Sequence, residues 1–465
     1  MAPTQQLSQP PTRLRASHAT ANRRRPGHPP KPWVADGLAA LAGVGLGVVI
    51  ALTLGAESAS ALGAPGGWLT GAGRLFAMTG TYLLLVMIVL ITRLPWLERT
   101  IGQDRLVRWH RRIAPWPIAL ISLHVVTITL GYAQAAKSGV LAEFWTFLRH
   151  YPDLLAATVA FALLVGVSLA SVRVARHKMK YETWWAVHLY LYLALALAFA
   201  HQIATGVMFV GHPLARAFWI ALWAGTAGLL VASRVVLPAV RNLRLQLRVV
   251  DVVKEAPGVF SLTLSGRRVD RLAVSGGQFF QWRFLAPGLW WHGHPYSLSA
   301  MPRPPFLRLT VKALGDHSSA LARLRPGTRV IVEGPYGVFT RHARTTDRVT
   351  LVGAGVGMTP LRALLEDLPR SVEVAVVVRA TSVADLVHRD EIRDLVELRR
   401  GQYHEVLGPR DRARFGSSTL RELVPDIAEG DVYICGPDGF SASVSRFVER
   451  LGVAGERVHV EAFSF

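Results

Sequence analysis

Residues 108–126 read RWHRRIAPWPIALISLHVV, with a histidine near each end of an apolar run. His110 and His124 are 14 residues apart. In a helix this separation is about 21 Å, most of the roughly 30 Å hydrocarbon core of a bilayer. Ionisable side chains at such depths are rare and usually functional. The stretch therefore predicts a membrane helix that carries a functional imidazole at each of two depths.

The whole chain has the composition of a membrane protein. Of its 465 residues, 51% are hydrophobic, and the formal net charge is +21. Six apolar runs approach the roughly 20 residues that cross a bilayer, and no run after residue 240 is long enough. These runs cover residues 34–54, 75–92, 113–131, 153–172, 184–204 and 216–237.

The basic residues indicate the orientation in the membrane. They cluster before the first run, between the second and third, and between the fourth and fifth, whereas the other loops hold scattered charges such as Glu57 and Lys137. Lys and Arg favour cytoplasmic loops. We therefore expect a multi-pass protein of the cell membrane with both termini in the cytoplasm. The charge reports topology, and it gives no reason to expect a nucleic-acid partner.

A second pair of histidines repeats the first arrangement. The fifth run contains His188 and His201, 13 residues apart, or about 19.5 Å along a helix. The two runs are expected to be parallel, so His110 could face His188 at one depth and His124 could face His201 at the other. Two histidines at one depth on neighbouring helices can serve as the two axial ligands of a six-coordinate b-type haem. The four histidines are therefore the predicted metal ligands, and they predict two stacked haems.

The spacing in the fifth run raises a geometric problem. At about 100° per residue, 13 residues fall about 140° short of whole turns, so His188 and His201 do not share a face of a straight helix. No Gly or Pro lies between them. We therefore expect either a π-bulge in this helix or haems reached from different sides of it.

Two further features restrict the organisation. Residues 1–32 are rich in Pro and Arg, which predicts a disordered basic cytoplasmic tail. Cys435 is the only cysteine, which excludes an internal disulfide and a four-thiolate iron–sulfur cluster. The electron carriers must then be organic molecules or haem.

Strand patterns and turn signals begin near residue 240, at NLRLQLRVVDVV, and predict a soluble region. Its most informative stretch is HPYSLS at residues 294–299, because a tyrosine can stack on a flat conjugated ring while a neighbouring hydroxyl donates a hydrogen bond to it. Further on, GDHSS places Gly315 in a turn, with Ser318 and Ser319 opening a short helical pattern whose backbone amides could hold a pyrophosphate.

The last third alternates strand and helix patterns. RVTLVGAGVGMTPLRALLEDL reads as a strand, then a turn containing Gly353, Gly355 and Gly357, then a helix with Thr359 as N-cap and Pro360 as its first residue. Glycines let a backbone approach a phosphate at a helix N-terminus. The next strand ends in Arg379, where an acidic residue would commonly bind the ribose of NAD, so NADPH is favoured over NADH.

These motifs together resemble the NADPH oxidase and ferric reductase superfamily. The paired histidines, HPYSLS, GAGVGMTP, YICGPDGF and the final VEAF follow one another in the order of that family. The resemblance implies a six-helix transmembrane bundle at residues 33–239, an antiparallel β-barrel FAD domain at 240–344, and an α/β NAD(P)H-binding domain at 345–465.

The resemblance also implies roles for individual residues. Cys435 and Ser297 would serve catalysis, with Phe463 stacked over the flavin and Phe465 as a competitor for that place. The residues implied for FAD are His294, Pro295, Tyr296, Ser297 and Ser299. Those implied for the nicotinamide nucleotide are Gly353, Gly355, Gly357, Thr359, Pro360, Arg379, Gly436 and Pro437.

The function implied is a transmembrane oxidoreductase. Electrons would pass from cytoplasmic NADPH through FAD and two b-type haems to an acceptor outside the cytoplasm. The sequence leaves dioxygen, ferric iron and a dedicated external redox protein open as that acceptor.

Overall fold

The computed structural model describes residues 32–172, 179, 181–209, 211–291, 293–409 and 415–462. The residues fall into two compact units, one spanning Pro30–Arg244 and the other containing Leu245–Phe465. The predicted N-terminal tail, Phe463 and Phe465 lie outside the described residues.

The first unit is helical. Six of its helical stretches are long and apolar enough to cross a membrane, as the sequence predicted. Pro115, Pro152 and Pro213 each open a helix, a position where the missing amide hydrogen is not needed. The helices are α1 Pro32–Gly55, α2 Ala59–Gly63, α3 Gly67–Ile91, α4 Pro95–Ile101, α5 Gln103–Ile113, α6 Pro115–Ala136, α7 Val140–His150, α8 Pro152–Ala170, α9 Tyr181–Thr205, α10 Pro213–Val231 and α11 Leu237–Leu245.

Glycines bring α3 and α6 into close contact. A Cβ atom on Gly73 would lie 2.7 Å from Thr127 Oγ1, and one on Gly80 would lie 2.9 Å from Ile121. A Cβ on Gly131 of α6 would lie 2.7 Å from Thr70. Small residues at a helix interface let the backbones approach, which is how membrane helices commonly pack.

The fifth membrane helix, α9, is α-helical from Tyr181 to Thr205. Of the two alternatives predicted for this helix, the π-bulge between His188 and His201 is therefore excluded, and the two imidazoles leave different sides of a regular helix. The chain does form a π-helical turn, at Ala232–Val236, where the last membrane-spanning stretch joins α10 to α11.

The second unit begins with an antiparallel part. Two three-stranded antiparallel sheets, ordered β1-β2-β5 and β4-β3-β6, enclose a core that includes Phe280, Trp282 and Phe284. This confirms the predicted antiparallel region. The elements are β1 Arg248–Ala256, β2 Val259–Ser265, β3 Phe279–Phe284, β4 His294–Ser297, β5 Phe306–Lys312, α12 Asp316–Leu321 and β6 Val330–Tyr336.

The parallel part that follows is the predicted α/β region. Its five-stranded sheet has the order β11-β10-β7-β8-β9, and every neighbouring pair is parallel. From β7 the chain first adds β8 and β9 on one side of the sheet and then β10 and β11 on the other, so the strand order reverses between β7 and β10. Ligands of such sheets bind at this reversal, beyond the carboxyl ends of the strands. The elements are β7 Arg348–Ala354, α13 Met358–Asp367, β8 Glu373–Ala380, α14 Arg389–Glu397, β9 Gln402–Leu407, α15 Ser417–Leu423, β10 Asp431–Gly436, α16 Asp438–Arg450 and β11 Val458–Ala462.

Candidate functional sites

Helix α3 anchors two of the four membrane histidines. His110 Nδ1 lies 3.3 Å from the carbonyl oxygen of Met87, and His124 Nδ1 lies 2.9 Å from that of Gly73. Because a carbonyl can only accept, each Nδ1 must carry the proton and donate it. Each Nε2 then keeps a lone pair, which is the state of an imidazole that ligates a metal.

His188 is held in the same tautomer by a serine at the end of α8. The Ser171 hydroxyl donates to the carbonyl of Val167 at 2.8 Å. It therefore accepts from Trp184 Nε1 and His188 Nδ1, both at 3.2 Å. The Trp184 ring also packs on His188, with centroids 5.0 Å apart. The Nε2 of His188 is thus left as the ligating nitrogen.

The four histidines form two pairs. His110 and His188 are close enough to interact electrostatically, and so are His124 and His201. Among the described residues no group of three or more His, Cys, Asp or Glu side chains could hold a metal ion. Pairs of this kind suit a haem, whose porphyrin supplies four nitrogens and needs two axial ligands from the protein.

A cavity of about 350 Å³ lies between the helices at the His124–His201 pair, and both histidines line it. Its wall is mainly apolar and aromatic, with Phe144 and Phe147 contributed by α7. The cavity also contacts Arg74 and Glu57, and Arg74 Nη1 lies 2.9 Å from both carboxylate oxygens of Glu57. An apolar space with two imidazoles fits a haem.

In the antiparallel part, β4 carries HPYS, the first four residues of the predicted FAD motif. His294 and Tyr296 lie on one face of the strand with stacked rings, 6.4 Å between centroids. The Tyr296 carbonyl accepts from Trp282 Nε1 at 2.8 Å, and burial raises the pKa of the Tyr296 phenol, so this ring is neutral. Pro295 between them pairs with Gln281 of β3.

Ser297 supplies a direct indication of a ligand. Its hydroxyl is buried and makes no hydrogen bond within the described part of the chain. Buried polar groups are nearly always paired, so an orphan hydroxyl beside a tyrosine that can stack on a flat ring fits a flavin. Ser299, the last residue of the motif, is fully buried and accepts from Arg308 Nε at 3.0 Å, so its hydroxyl already has a partner within the protein.

Two residues at this site were missed by the sequence reasoning. The His317 ring stacks on His294 with centroids 3.5 Å apart. Arg283 on β3 has a buried Nε with no hydrogen-bond partner in the described residues, and its Nη2 lies 4.0 Å from the Cβ position of Gly293. The motif GDHSS predicted that its serines lie at a binding turn. The Ser318 hydroxyl instead accepts hydrogen bonds from the backbone amides of Leu314 and Gly315, so it stabilises the turn.

The glycine turn after β7 lies at the reversal of strand order. A Cβ on Gly353 would lie 2.3 Å from Met358 Sδ, and one on Gly357 would lie 2.3 Å from the Cys435 carbonyl oxygen. Gly355 has a φ of +55°, in the left-handed region. Gly357 lets the turn pass closely over β10, and Gly353 lets α13 pack closely on β7. The result is a cradle suited to the diphosphate of a nucleotide.

Helix α13 begins earlier than the sequence suggested. It starts at Met358 with Gly357 as N-cap, so Thr359 and Pro360 are its second and third residues. The predicted N-cap role of Thr359 is wrong because a 3-10 turn at Gly355–Gly357 leads straight into the helix, and proline is tolerated throughout the first turn. The Thr359 hydroxyl is buried without a hydrogen-bond partner in the described residues, which again fits a ligand.

Cys435 is the second-last residue of β10 and pairs with Gly353 of β7. Its thiol is fully buried. Burial is the main cause that raises the pKa of this thiol well above its ordinary value, and the negative charge of the nearby Glu461 adds to it. Cys435 is therefore a neutral thiol. Gly436 and the helix N-cap Pro437 follow it. Glu461, opposite Cys435 in the β10–β11 register, is a further residue that the sequence reasoning did not single out.

Arg379 lies at the carboxyl end of β8, in register with Ala354 of the glycine turn. Its guanidinium donates to the carbonyls of Val406 and Pro409, both at 3.3 Å. These contacts place a cation beside the nucleotide cradle.

Comparisons with known proteins agree with this geometry. Residues 76–199 match the family described as ferric reductase like transmembrane component. The chain is 28% identical over 210 residues to a flavohemoprotein of Deinococcus radiodurans (41% of this chain, 52% of that one) and 28% identical over 199 residues to an NADPH oxidoreductase of Mycobacterium tuberculosis (40% and 52%). It is 33% identical over 187 residues to ferredoxin–NADP reductase B of Sorangium cellulosum, covering 36% of this chain and 77% of that one.

The fold and these comparisons define a chain with six helices that could cross a membrane, followed by a unit of the ferredoxin-reductase-like FAD/NAD-binding type. The chain belongs to the ferredoxin–NADP reductase family and joins it to a ferric reductase like transmembrane component, the combination found in the NADPH oxidase and ferric reductase superfamily. It spans about half the length of the first two relatives named above, 52% of each.

Proposed function

We propose that the protein is a transmembrane oxidoreductase that carries electrons from NADPH through FAD and two b-type haems to an acceptor outside the cytoplasm. FAD accepts two electrons as a hydride, and each haem carries one electron. The observation that carries the proposal is the double histidine pair in the ferric reductase like segment, with three imidazoles anchored through Nδ1 so that Nε2 is left to bind iron.

Each group of predicted site residues would bind or position one cofactor. His110 with His188, and His124 with His201, would be the axial ligands of the inner and the outer haem. Tyr296 would stack on the flavin while Ser297 donates a hydrogen bond to it. The glycine turn and the buried Thr359 hydroxyl would hold NADPH, with Cys435, Gly436 and Pro437 beside the nicotinamide. Either Phe463 or Phe465 would lie over the flavin.

The orientation follows from charge. Arginines at positions 93, 105, 108, 111 and 112 lie between the second and third apolar runs of the sequence, residues 75–92 and 113–131, and such clusters favour the cytoplasmic side. Both termini and the whole second unit would then be cytoplasmic, and the His124–His201 pair would be the outer one.

The outer cavity supports a small, uncharged acceptor. Helix α7 contributes aromatic side chains, and Phe147 packs edge-on against Tyr132 and Tyr151, with centroids 5.4 and 6.2 Å apart. The charge of Arg74 is balanced by Glu57. An aromatic wall with a balanced ion pair favours dioxygen over an anionic ferric chelate or an external redox protein.

A reduced-minus-oxidised spectrum of the purified full chain tests the proposal. We expect the bands of b-type haem, two haems per chain, and their appearance when NADPH is added without oxygen. Superoxide formation in air should exceed reduction of ferric citrate. A chain that binds FAD but shows no b-type bands would refute the haem pathway.

Replacing Arg379 by glutamate should change the nucleotide preference. A carboxylate would lose a charge-assisted bond to the 2′-phosphate and repel it, which corresponds to about 10- to 100-fold in the Michaelis constant for NADPH. The constant for NADH, which has no such phosphate, should change far less. Arg421→Glu, the same charge reversal at an exposed site on α15, is the control. An unchanged preference in Arg379→Glu would show that the phosphate is recognised elsewhere.

A further inference from the structure

Helix α13 connects the nucleotide cradle to the antiparallel part. Its N-terminus follows the glycine turn, and its last two residues are carboxylates that cross to the other part. Glu366 accepts from the Met301 amide at 3.0 Å and from Arg303 Nη2 at 2.8 Å. Asp367 accepts from the Gly276 amide at 3.0 Å. The helix that would receive NADPH is thus tied to the segment that follows HPYSLS.

A second connection is a bidentate ion pair. Arg308 of β5 donates to both carboxylate oxygens of Glu391 on α14, at 2.7 and 2.8 Å. The same guanidinium donates through Nε to the Ser299 hydroxyl at 3.0 Å and through Nη2 to the Ser299 carbonyl at 3.2 Å. Ser299 is the last residue of HPYSLS, so one arginine joins the flavin motif to the parallel part.

Glu391 also links α14 to α13. Its Oε2 accepts from Arg362 Nε at 2.8 Å, and Arg308 and Arg362 are 7% and 3% exposed. Burial works to raise the pKa of Glu391, but the hydrogen bond from Arg308 and the charges of both arginines outweigh it and hold that pKa at about 2. The carboxylate is therefore ionised at physiological pH, and each of its oxygens has a fixed donor.

Fixed, planar ion pairs impose geometry as well as stability. From this arrangement we infer that Glu391 and Arg308 are positioning residues for hydride transfer: they hold the nicotinamide site against the flavin site. The inference rests on the proposed function. In that step the hydride leaves C4 of the dihydronicotinamide, which is oxidised, and bonds to N5 of the flavin, which is reduced. A displacement of about 1 Å between reacting groups can cost on the order of 100-fold in rate.

The variant Glu391→Gln in the full-length protein tests the inference. It keeps the side-chain shape but removes the charge that fixes Arg308 and Arg362. Flavin reduction by saturating NADPH, followed anaerobically in single turnover, should slow by about 10- to 100-fold. FAD content, the NADPH concentration at half-maximal rate, and reduction of the flavin by dithionite should stay at wild-type values. Dithionite needs no alignment with a bound nicotinamide, so this combination separates misplacement from loss of structure.

The chain offers a matched control. Arg389 donates to both carboxylate oxygens of Glu405 at 2.7 and 2.8 Å, but this pair lies entirely within the parallel part. Glu405→Gln should leave the transfer rate unchanged. Equal rates in Glu391→Gln and Glu405→Gln would overturn the inference, whereas a wild type whose flavin NADPH cannot reduce would refute the proposed function itself.

Arg308→Lys provides a second route if Glu391→Gln does not fold. Lysine retains the charge but lacks the planar fork, so only the geometry is loosened. Transfer should again slow at unchanged FAD content. A wild-type rate in Arg308→Lys would overturn the inference.

Discussion

Replacing His124 by leucine is expected to leave one haem per chain instead of two and to abolish electron delivery to an external acceptor. Leucine fills part of the space but has no lone pair for iron, so the outer haem loses one of its two axial bonds. Hydride transfer from NADPH to the flavin should continue, because the second unit is untouched. The haem content and the anaerobic flavin spectrum of the purified protein measure the two effects, and His201→Leu should give the same result.

The control is a histidine outside the cavity. His150 ends α7, is exposed, and directs its Nδ1 to the Thr146 carbonyl of its own helix at 3.2 Å. His150→Leu should retain both haems and wild-type acceptor reduction. If His124→Leu and His201→Leu also retained two haems, the assignment of the outer ligands would be refuted.

The features that the sequence predicted well are those with a local periodic signal. The six membrane spans follow from run length alone. The parallel sheet could be predicted because β7, β8 and β10 are short apolar strands alternating with helices. In each case the determining residues are neighbours in the chain, so no tertiary contact had to be known.

Errors arose where two nearby local signals competed. Thr359 and Pro360 both favour a helix start, but the glycine turn allowed the helix to begin at Met358, one residue before them. For α9, the spacing of His188 and His201 left open a π-bulge or haems reached from different sides of the helix. The helix is regular, which excludes the first alternative.

The contacts that sequence could not reveal are long-range. Arg308 and Glu391 are separated by 83 residues, and neither lies in a recognisable motif. The partner of His124 is a backbone carbonyl, that of Gly73, which any residue type would supply. His317 precedes Ser318 and Ser319, which the sequence pattern favoured as the binding residues of this turn. Only the fold shows that the His317 ring stacks on His294.

Replacing Gly73 by valine is expected to cost the outer haem although Gly73 is not a ligand. A Cβ at this position would lie 2.7 Å from Thr127 Oγ1 and 2.8 Å from Ile128, so α3 and α6 must separate. The His124 Nδ1 bond to the Gly73 carbonyl, 2.9 Å long, would then be lost, and the imidazole would lose both its orientation and its tautomer. Overpacking alone costs about 1–3 kcal/mol, so the thermal midpoint should fall together with the haem content.

Gly47 on α1 gives a matched comparison, because a Cβ there meets no atom within 4 Å. Gly47→Val makes the same chemical change in a membrane helix and should keep two haems per chain. Gly73→Ala should lie between the two valine variants, since it adds the clashing Cβ but no further methyl groups. The decisive measurement is the ratio of haem to protein, together with the thermal midpoint in detergent. If Gly73→Val kept both haems and the midpoint of Gly47→Val, the glycine contact would have no part in holding His124, and the carbonyl anchor would be incidental to haem binding.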